Sequence, residues 1–128
     1  MVREVLAIVV DCHNSLAQAE FWAGVLGHEI SERNAGEYEV GTAGARSTPL
    51  YFMNVPEPKM VKNRLHIDIT TDRQLDDEVA RLVKAGGTLI EMRQDPTTLD
   101  NPDTWAVMQD PEGNEFCVLN AATVTGMA

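Results

Sequence analysis

An internal repeat limits what this chain can fold into more than any other feature of its sequence. Each half reads as a strand, a helix and three further strands. Matching landmarks recur at one offset, since Ala7 corresponds to His66 and Gly27 to Gly86, 59 positions apart in both cases. Neither half of the 128 residues is long enough to bury a good core alone. We therefore expect one α+β domain of two paired βαβββ modules, with helices covering one sheet face and the other face free to line a cleft.

The first module begins with a short, β-branched apolar run at 6–10, which predicts a buried strand. Asn14 and Ser15 are typical of a helix start, and Gly27 is typical of a helix end. Leu16, Trp22 and their neighbours at helical spacing form the apolar face of that helix. Three further strands are predicted at 28–31, 37–40 and 50–55.

The second module repeats this order. A strand is predicted at 65–69, a helix at 71–85, and further strands at 88–91, 105–108 and 116–119. The helix carries its apolar face on Leu75, Val79, Leu82 and Val83. The run from Asp110 to Asn114 predicts a tight turn. The predicted bounds are 3–55 for module one, 56–61 for a linker, 62–120 for module two, with an insertion at 94–103, and 121–128 for a frayed tail.

Composition excludes several classes of partner. Ten basic residues against 20 acidic ones give a formal charge of −10, which argues against nucleic acid and anionic membranes as partners. No apolar run is long enough to span a bilayer, and the first residues lack a secretory pattern, so we expect a cytoplasmic protein. Cys12 and Cys117 lack metal-type spacing, and we expect both thiols to be reduced.

Strand alternation predicts which side chains face the cleft. In the strand at 65–69, Leu65 and its alternate neighbours should face the helix, which leaves His66 and Asp68 on the open face. The same reasoning applied to the other strands adds further residues to that face. The predicted cleft contains His66, Asp68, Asp11, Glu115 and Cys117, with Tyr51, Met53 and Trp105 as candidate walls.

His66 and Asp68 form the sharpest candidate pair. Side chains two apart on a strand lie about 7 Å apart, close enough for the carboxylate to orient the imidazole. A histidine held in this way could act as a general base on an acidic C–H bond. The alternative is that His66 only makes hydrogen bonds within the cleft. A nucleophilic Cys117 is disfavoured, because burial in an apolar strand raises the pKa of a thiol.

Lys59, Lys62 and Arg64 form a basic cluster in an otherwise acidic chain. Such a cluster could attract an anionic ligand, or it could pair with acidic surface residues.

Three strings of the sequence are characteristic of a known superfamily. They are Phe21-Trp22 followed by Val25-Leu26-Gly27, then residues 62–68, then residues 110–116. With these strings, residues 3 to 120 resemble the vicinal-oxygen-chelate superfamily of glyoxalases, bleomycin-resistance proteins and dioxygenases. The small actinobacterial glyoxalase-like domain group is the most similar. The resemblance implies that the two modules curl into a U-shaped sheet.

The resemblance also implies a position for a divalent metal, held in catalytic members by four strand residues. Carried over to this chain, those positions fall on Ala7, His66, Cys117 and either Tyr51 or Met53. Only His66 is a usual ligand there, and one imidazole does not hold a divalent cation against water. Cys117 with His66 would suit a soft metal but would still be a weak site. We therefore expect no metal of the family type, unless a dimer completes the ligand set.

Three functions remain open. The first is a protein that binds a small organic molecule in the cleft without a metal, as drug-binding members of the superfamily do. The second is a metal-dependent lyase, isomerase or dioxygenase. The third is a metal-free enzyme that uses His66 and Asp68 for acid–base chemistry. The resemblance further implies a homodimer.

Overall fold

The computed structural model describes residues 1–42, 47–94 and 104–121 of the chain. They form two compact units, Met1–Met60 and Val61–Ala128. The sequence predictions for most of the insertion at 94–103 and for nearly all of the tail lie outside the described residues, and so do residues 43–46, between two of the predicted strands. Among the helices that the structure describes, none is long and apolar enough to cross a membrane.

The first unit is a four-stranded sheet with one helix against it. Its elements are β1 (Ile8–Cys12), α1 (Ser15–Leu26), β2 (Ile30–Asn34), β3 (Glu37–Val40) and β4 (Leu50–Asn54). The strand order is β1-β4-β3-β2, with β1 and β4 parallel and the other pairs antiparallel. Trp22 and Phe52 are buried in this unit, so the expectation of Trp22 as a core residue is confirmed.

Local signals fix both ends of α1. The Asn14 side chain caps the first turn by accepting a hydrogen bond from the Ala17 N–H at 3.1 Å. Gly27 ends the helix in the left-handed region, with φ of 67°. The predicted start and end of this helix are therefore confirmed.

The second unit repeats the topology. Its elements are β5 (Ile67–Thr71), α2 (Leu75–Ala85), β6 (Thr88–Gln94), β7 (Thr104–Gln109) and β8 (Glu115–Asn120). The strand order is β5-β8-β7-β6, with β5 and β8 parallel. Leu82, Met108 and Phe116 are fully buried in this unit. Two βαβββ units with mixed sheets confirm the predicted α+β fold class.

A buried polar contact attaches α2 to β5. The Thr71 hydroxyl donates a hydrogen bond to Glu78 Oε2 at 2.6 Å, and Arg81 forms an ion pair with the same carboxylate. Burial acts to raise the pKa of Glu78, but the Thr71 hydroxyl and Arg81 outweigh it and hold that pKa below its ordinary value. The first turn of α2 is thereby held against the end of β5.

The turn between β7 and β8 forms as predicted. The buried carboxylate of Asp110 accepts hydrogen bonds from the N–H groups of Glu112 and Asn114 at 3.0 and 2.9 Å. Gly113 occupies the left-handed region with φ of 87°, which a residue without a Cβ adopts most readily. This turn fixes the antiparallel register of β7 and β8.

Several local predictions were wrong. The first strand was expected to be buried at 6–10, but it spans Ile8–Cys12 and leaves Ile8 and Val9 exposed. Thr71 is the last residue of β5 and not the first of α2, because it pairs with Asn120 in the parallel ladder. Leu65 was expected to face the helix but is 85% exposed, since β5 begins only at Ile67. The apolar face assigned to α1 was also partly wrong, because Leu16 is exposed while the polar Gln18 is buried. Val83 on α2 is likewise exposed, since the buried face of that helix is formed by Glu78, Val79 and Leu82.

Candidate functional site

The second unit carries an open cleft of about 430 Å³ on its sheet. Charged, polar and apolar side chains share its lining. The lining residues are Lys62, His66, Asp68, Arg93, Trp105, Val107, Glu115, Cys117 and Leu119. Five of the eight side chains that the sequence predicted for a cleft therefore lie together here.

Strand register explains why these side chains share one face. Cys117 on β8 lies between Asp68 on β5 and Val107 on β7, as its direct partner in both ladders. Because side chains opposite each other across a ladder point to the same face, one row crosses the floor of the cleft. A second row pairs Leu119 with Trp105 and continues to Arg93 on β6.

His66 and Asp68 are in direct contact at the mouth of the cleft. His66 Nε2 lies 3.2 Å from Asp68 Oδ1, and the two side chains are 46% and 57% exposed. The expected pairing is therefore present, and both groups remain accessible to a ligand. Their catalytic role stays a prediction.

The thiol of Cys117 is half-buried and lies beside Asp68. Burial raises the pKa of this thiol, and the negative charge of Asp68 and a hydrogen bond to its carboxylate raise it further. Because the thiolate is the reactive form, this environment disfavours Cys117 as a nucleophile.

Two cationic side chains line the cleft, and sequence reasoning placed neither in it. Lys62 was noted only as part of a basic cluster, and Arg93 lies beyond the predicted end of its strand. In the structure, β6 continues to Gln94, and the Arg93 guanidinium pairs with Glu91 at 2.5 Å. The Glu115 carboxylate accepts a hydrogen bond from the Asn63 N–H at 3.0 Å.

Three groups in the cleft could together hold a metal ion. The ligand atoms of His66, Asp68 and Cys117 all lie within 4.8 Å of one another. They offer a nitrogen, an oxygen and a sulfur donor, and three protein ligands are the usual number in catalytic zinc sites. The donor set therefore fits a divalent cation that accepts sulfur. The count made from the sequence missed Asp68, because that residue occupies none of the positions that the resemblance supplied.

The other three predicted cleft residues belong to the first unit. Asp11 on β1 pairs with Met53 on β4, and Tyr51 lies two residues before Met53 on the same strand. Asp11 is exposed, and the two β4 side chains are partly exposed. Their role in ligand binding stays a prediction.

The hydroxyl of Tyr51 is engaged within its own sheet. It donates a hydrogen bond to Glu37 Oε2 at 2.8 Å, and this bond is the main reason why the pKa of Tyr51 is raised. Nearby, Arg33 Nη2 lies 3.0 Å from Glu39 Oε1 and pairs with that largely buried carboxylate.

Solved structures share this fold. A glyoxalase/bleomycin resistance protein/dioxygenase family enzyme from Burkholderia phytofirmans is 21% identical, with a TM-score of 0.70, covering 90% of this chain and 96% of its own. A lactoylglutathione lyase from Agrobacterium tumefaciens is 12% identical, with a TM-score of 0.64 and 98% of each chain covered. At these identities, the likeness shows the fold alone.

A third similar structure holds ligands. It is a mutant of the genomically encoded fosfomycin resistance protein of Listeria monocytogenes, complexed with Mn(II) and 1S,2S-dihydroxypropylphosphonic acid. It is 13% identical, with a TM-score of 0.73, and covers 99% of this chain and 95% of its own. No curated protein matches the sequence significantly.

The family of the chain is identified by a match to its sequence. The family described as "Glyoxalase-like domain" matches residues 7–119, which include every described strand and helix of both units except the last residue of β8. The chain belongs to the glyoxalase-like domain family.

Proposed function

We propose that the second unit binds a small organic molecule that carries both an apolar part and an anionic group. The observation that supports this proposal is the cleft itself, which places an apolar wall and two cations around one space of about 430 Å³. That volume is within the range of ligand pockets in proteins, roughly 300–1,000 Å³.

The apolar part would lie along Trp105, Val107 and Leu119. All three side chains are partly exposed at the cleft, so a bound molecule would remove their surface from water. Burial of apolar surface contributes about 25 cal/mol per Å², and an aromatic ring adds a flat surface for stacking. This wall favours a molecule with a hydrocarbon or ring portion over a small polar metabolite.

The anionic group would interact with Lys62 and Arg93. Both lie in the cleft of a chain whose formal charge is −10, so they are a local exception to its overall charge. The two carboxylates of the cleft have partners, since Asp68 contacts His66 and Glu115 accepts from the Asn63 N–H. Their partners reduce the repulsion that an incoming anion would meet.

A fluorescence titration tests the proposal. Trp105 lines the cleft whereas Trp22 is buried in the first unit, so a Trp22→Phe variant leaves Trp105 as the single tryptophan. We would screen aromatic and aliphatic carboxylates and phosphonates against this variant by Trp105 emission, and confirm binding to the wild-type chain by calorimetry. A ligand of the proposed class should bind with saturation, and its affinity should fall in Arg93→Gln and Lys62→Gln.

A matched control keeps the result specific to the cleft. Leu89 on β6 is exposed on the same sheet, and its ladder partner is the buried Met108, which places it on the opposite face. Leu89→Ala should bind as the wild type does, while Trp105→Ala and Leu119→Ala should bind more weakly. Equal loss in Leu89→Ala, or saturable binding that no cleft variant alters, would contradict the proposal.

The contact between His66 and Asp68 favours a second candidate function, metal-free acid–base catalysis. Asp68 Oδ1 lies 3.2 Å from His66 Nε2 and can hold the imidazole in one orientation, as a carboxylate does for a general base. Any ligand found by the screen would be incubated with the protein in deuterated water and followed by proton NMR. Exchange of a C–H proton with the wild type, and its loss with His66→Ala, would support catalysis. An unchanged spectrum would leave the protein as a binding protein.

A further inference from the structure

We propose that His66, Asp68 and Cys117 form a binding site for a thiophilic divalent cation, zinc or cobalt(II), within the second unit. This ligand set differs from the one that the superfamily resemblance implies, because Asp68 lies outside its four positions. The proposal does not depend on which organic molecule the cleft takes, but it excludes the metal-free acid–base candidate, because His66 and Asp68 would then be metal ligands. It concerns the metal selectivity that the three donor types impose.

The geometry brings the three donors close to a shared centre. All pairs of ligand atoms lie within 4.8 Å, and the closest pair, His66 Nε2 and Asp68 Oδ1, is separated by 3.2 Å. Bonds of about 2.0–2.3 Å in a tetrahedral arrangement place ligand atoms about 3.3–3.7 Å apart. Small side-chain rotations would therefore suffice, and no strand needs to move.

The backbone holds two of the donors in register. Asp68 and Cys117 are direct partners in the parallel ladder of β5 and β8, so the ladder fixes the separation of their Cα atoms. His66 is two residues before Asp68 and lies on the same face, immediately before β5 begins. Ligands on paired strands are positioned more rigidly than ligands on loops.

The chemistry of the donors selects the cation. Magnesium, calcium and manganese prefer sites built from oxygen ligands, and this group offers one carboxylate beside an imidazole and a thiol. Zinc and cobalt(II) accept nitrogen, oxygen and sulfur together, and three protein ligands leave a further position for water or a ligand. A carboxylate and a thiolate also supply two negative charges, which balance a divalent cation.

The environment of the group is consistent with a metal site that remains accessible. Half of each of the His66 and Asp68 side chains is exposed, so an ion can reach them from solvent. Cys117 forms the inner end of the group, on the floor of the cleft. Lys62 and Arg93 stand around the same cleft and would attract an anionic ligand toward a bound cation.

Cobalt(II) titration followed by absorption spectroscopy tests the proposal. The apo-protein should bind one equivalent of cobalt(II) and develop a thiolate-to-cobalt charge-transfer band in the near ultraviolet, and zinc should displace the cobalt. Calorimetry should show that manganese(II) and magnesium bind at least about tenfold more weakly than zinc. Cys117→Ser should abolish the band, and His66→Ala and Asp68→Asn should each weaken zinc binding by about tenfold or more.

Two further variants make the outcome decisive. Cys12 is the other cysteine, buried in the first unit, where its thiol donates to the Met53 carbonyl at 3.3 Å. Cys12→Ser should keep the charge-transfer band in full. Cys117→Asp replaces sulfur by oxygen and should raise manganese(II) affinity relative to zinc. Circular dichroism establishes that each variant is folded, and the exposed His66→Ala serves if a Cys117 variant is not.

The proposal is overturned by a wild-type cobalt spectrum without the thiolate band, by a band that survives in Cys117→Ser, or by manganese(II) binding as tightly as zinc. Failure of the metal titration leaves the organic-ligand proposal intact, because the fluorescence screen of Trp105 needs no metal. Conversely, metal binding without any organic ligand would support this proposal alone.

Discussion

The contact between Thr71 and Glu78 makes the sharpest prediction about stability. It joins the last residue of β5 to the first turn of α2, and both residues are buried. The perturbation is a pair of near-isosteric changes, Thr71→Val and Glu78→Gln, made singly and together. Thr71→Val removes the hydroxyl that donates to the carboxylate, and Glu78→Gln removes the charge of the acceptor.

The expected magnitude follows from the type of bond. The Thr71 hydroxyl lies 2.6 Å from Glu78 Oε2, and a hydrogen bond to a charged group contributes about 1.5–3 kcal/mol. Thr71→Val also removes the acceptor that its hydroxyl offers to the Arg73 N–H at 3.1 Å. That loss is common to both variants that contain valine, so it cancels in the double-mutant cycle. We expect a coupling energy of about 1–2 kcal/mol, since the glutamine side chain retains part of the interaction.

Urea denaturation at neutral pH, followed by circular dichroism, measures the free energies of unfolding of the four proteins. Single changes should lower the midpoint without altering the slope, and the double variant should lose less than the sum of the two. A coupling energy within about 0.3 kcal/mol of zero would refute the reasoning. It would mean that the interaction between Thr71 and Glu78 contributes nothing to the free energy of unfolding.

The same contact predicts how stability changes with pH. The pKa of Glu78 in the folded chain is below its ordinary value, because the Thr71 hydroxyl and Arg81 outweigh the effect of burial. The stabilisation is therefore fully present above the pKa of the unfolded chain, and it is lost as the pH falls through the folded value. Acidification from neutral pH should destabilise the wild type more than Glu78→Gln. Parallel curves for the two proteins would contradict this assignment.

Three further predictions address the helix cap, the cleft thiol and the assembly. Asn14→Ala should lower the free energy of unfolding by about 1 kcal/mol through loss of the cap to Ala17, and Asn14→Ser should retain most of it; equal losses in urea denaturation would disprove the cap's contribution. In a Cys12→Ser background, Asp68→Asn should speed the alkylation of Cys117 by iodoacetamide and lower the pH at which alkylation is half-maximal, because a charge that raises the pKa of the thiol is removed. An unchanged pH of half-maximal alkylation would contradict this role of Asp68. Sedimentation equilibrium at micromolar concentration should give twice the 14.1 kDa mass of the chain, and a single-chain mass would end the dimer prediction.

The parts of the fold that depend on local signals were predictable from sequence. Helix α1 begins after Asn14 and ends at Gly27 as expected, since a capping side chain and a left-handed glycine act within a few residues. Strand β3 matches its predicted range, because the alternating pattern from Glu37 to Val40 is complete in itself. The internal repeat strengthened these predictions, since the same order of strands and helix was predicted in both halves.

The ends of other strands depend on partners far along the chain. Strand β6 continues to Gln94 although its last residues are polar, because Arg93 pairs with Trp105 and Gln94 with Thr104. The apolar alternation in the sequence begins at Leu65, two residues before the strand does. Strand β5 begins at Ile67, because Ile67 and Phe116 are the first pair of its ladder with β8. Neither partner is visible in a local window of sequence.

The candidate site shows the same division. Alternation alone placed His66, Asp68, Glu115 and Cys117 on one face, and all four line one cleft. Arg93 was missed with the end of its strand. The metal-binding potential of Asp68 could not follow from the superfamily resemblance, because Asp68 occupies none of the ligand positions that the resemblance implies. A carboxylate two residues from a histidine on one strand was the available signal.

The parallel pairing of β5 and β8 also governs when the site can exist during folding. These are the first and last strands of the second unit, and the ladder joins Asp68 to Cys117 across α2, β6 and β7. Contacts between residues so distant in sequence form late and slow folding, because a long loop must close first. A ligand that needs both side chains would therefore bind only the completed unit and stabilise it by mass action. Ligand binding would therefore be a measure of the folding of the second unit. Truncation before β8 would abolish binding, although most of the unit's sequence would remain.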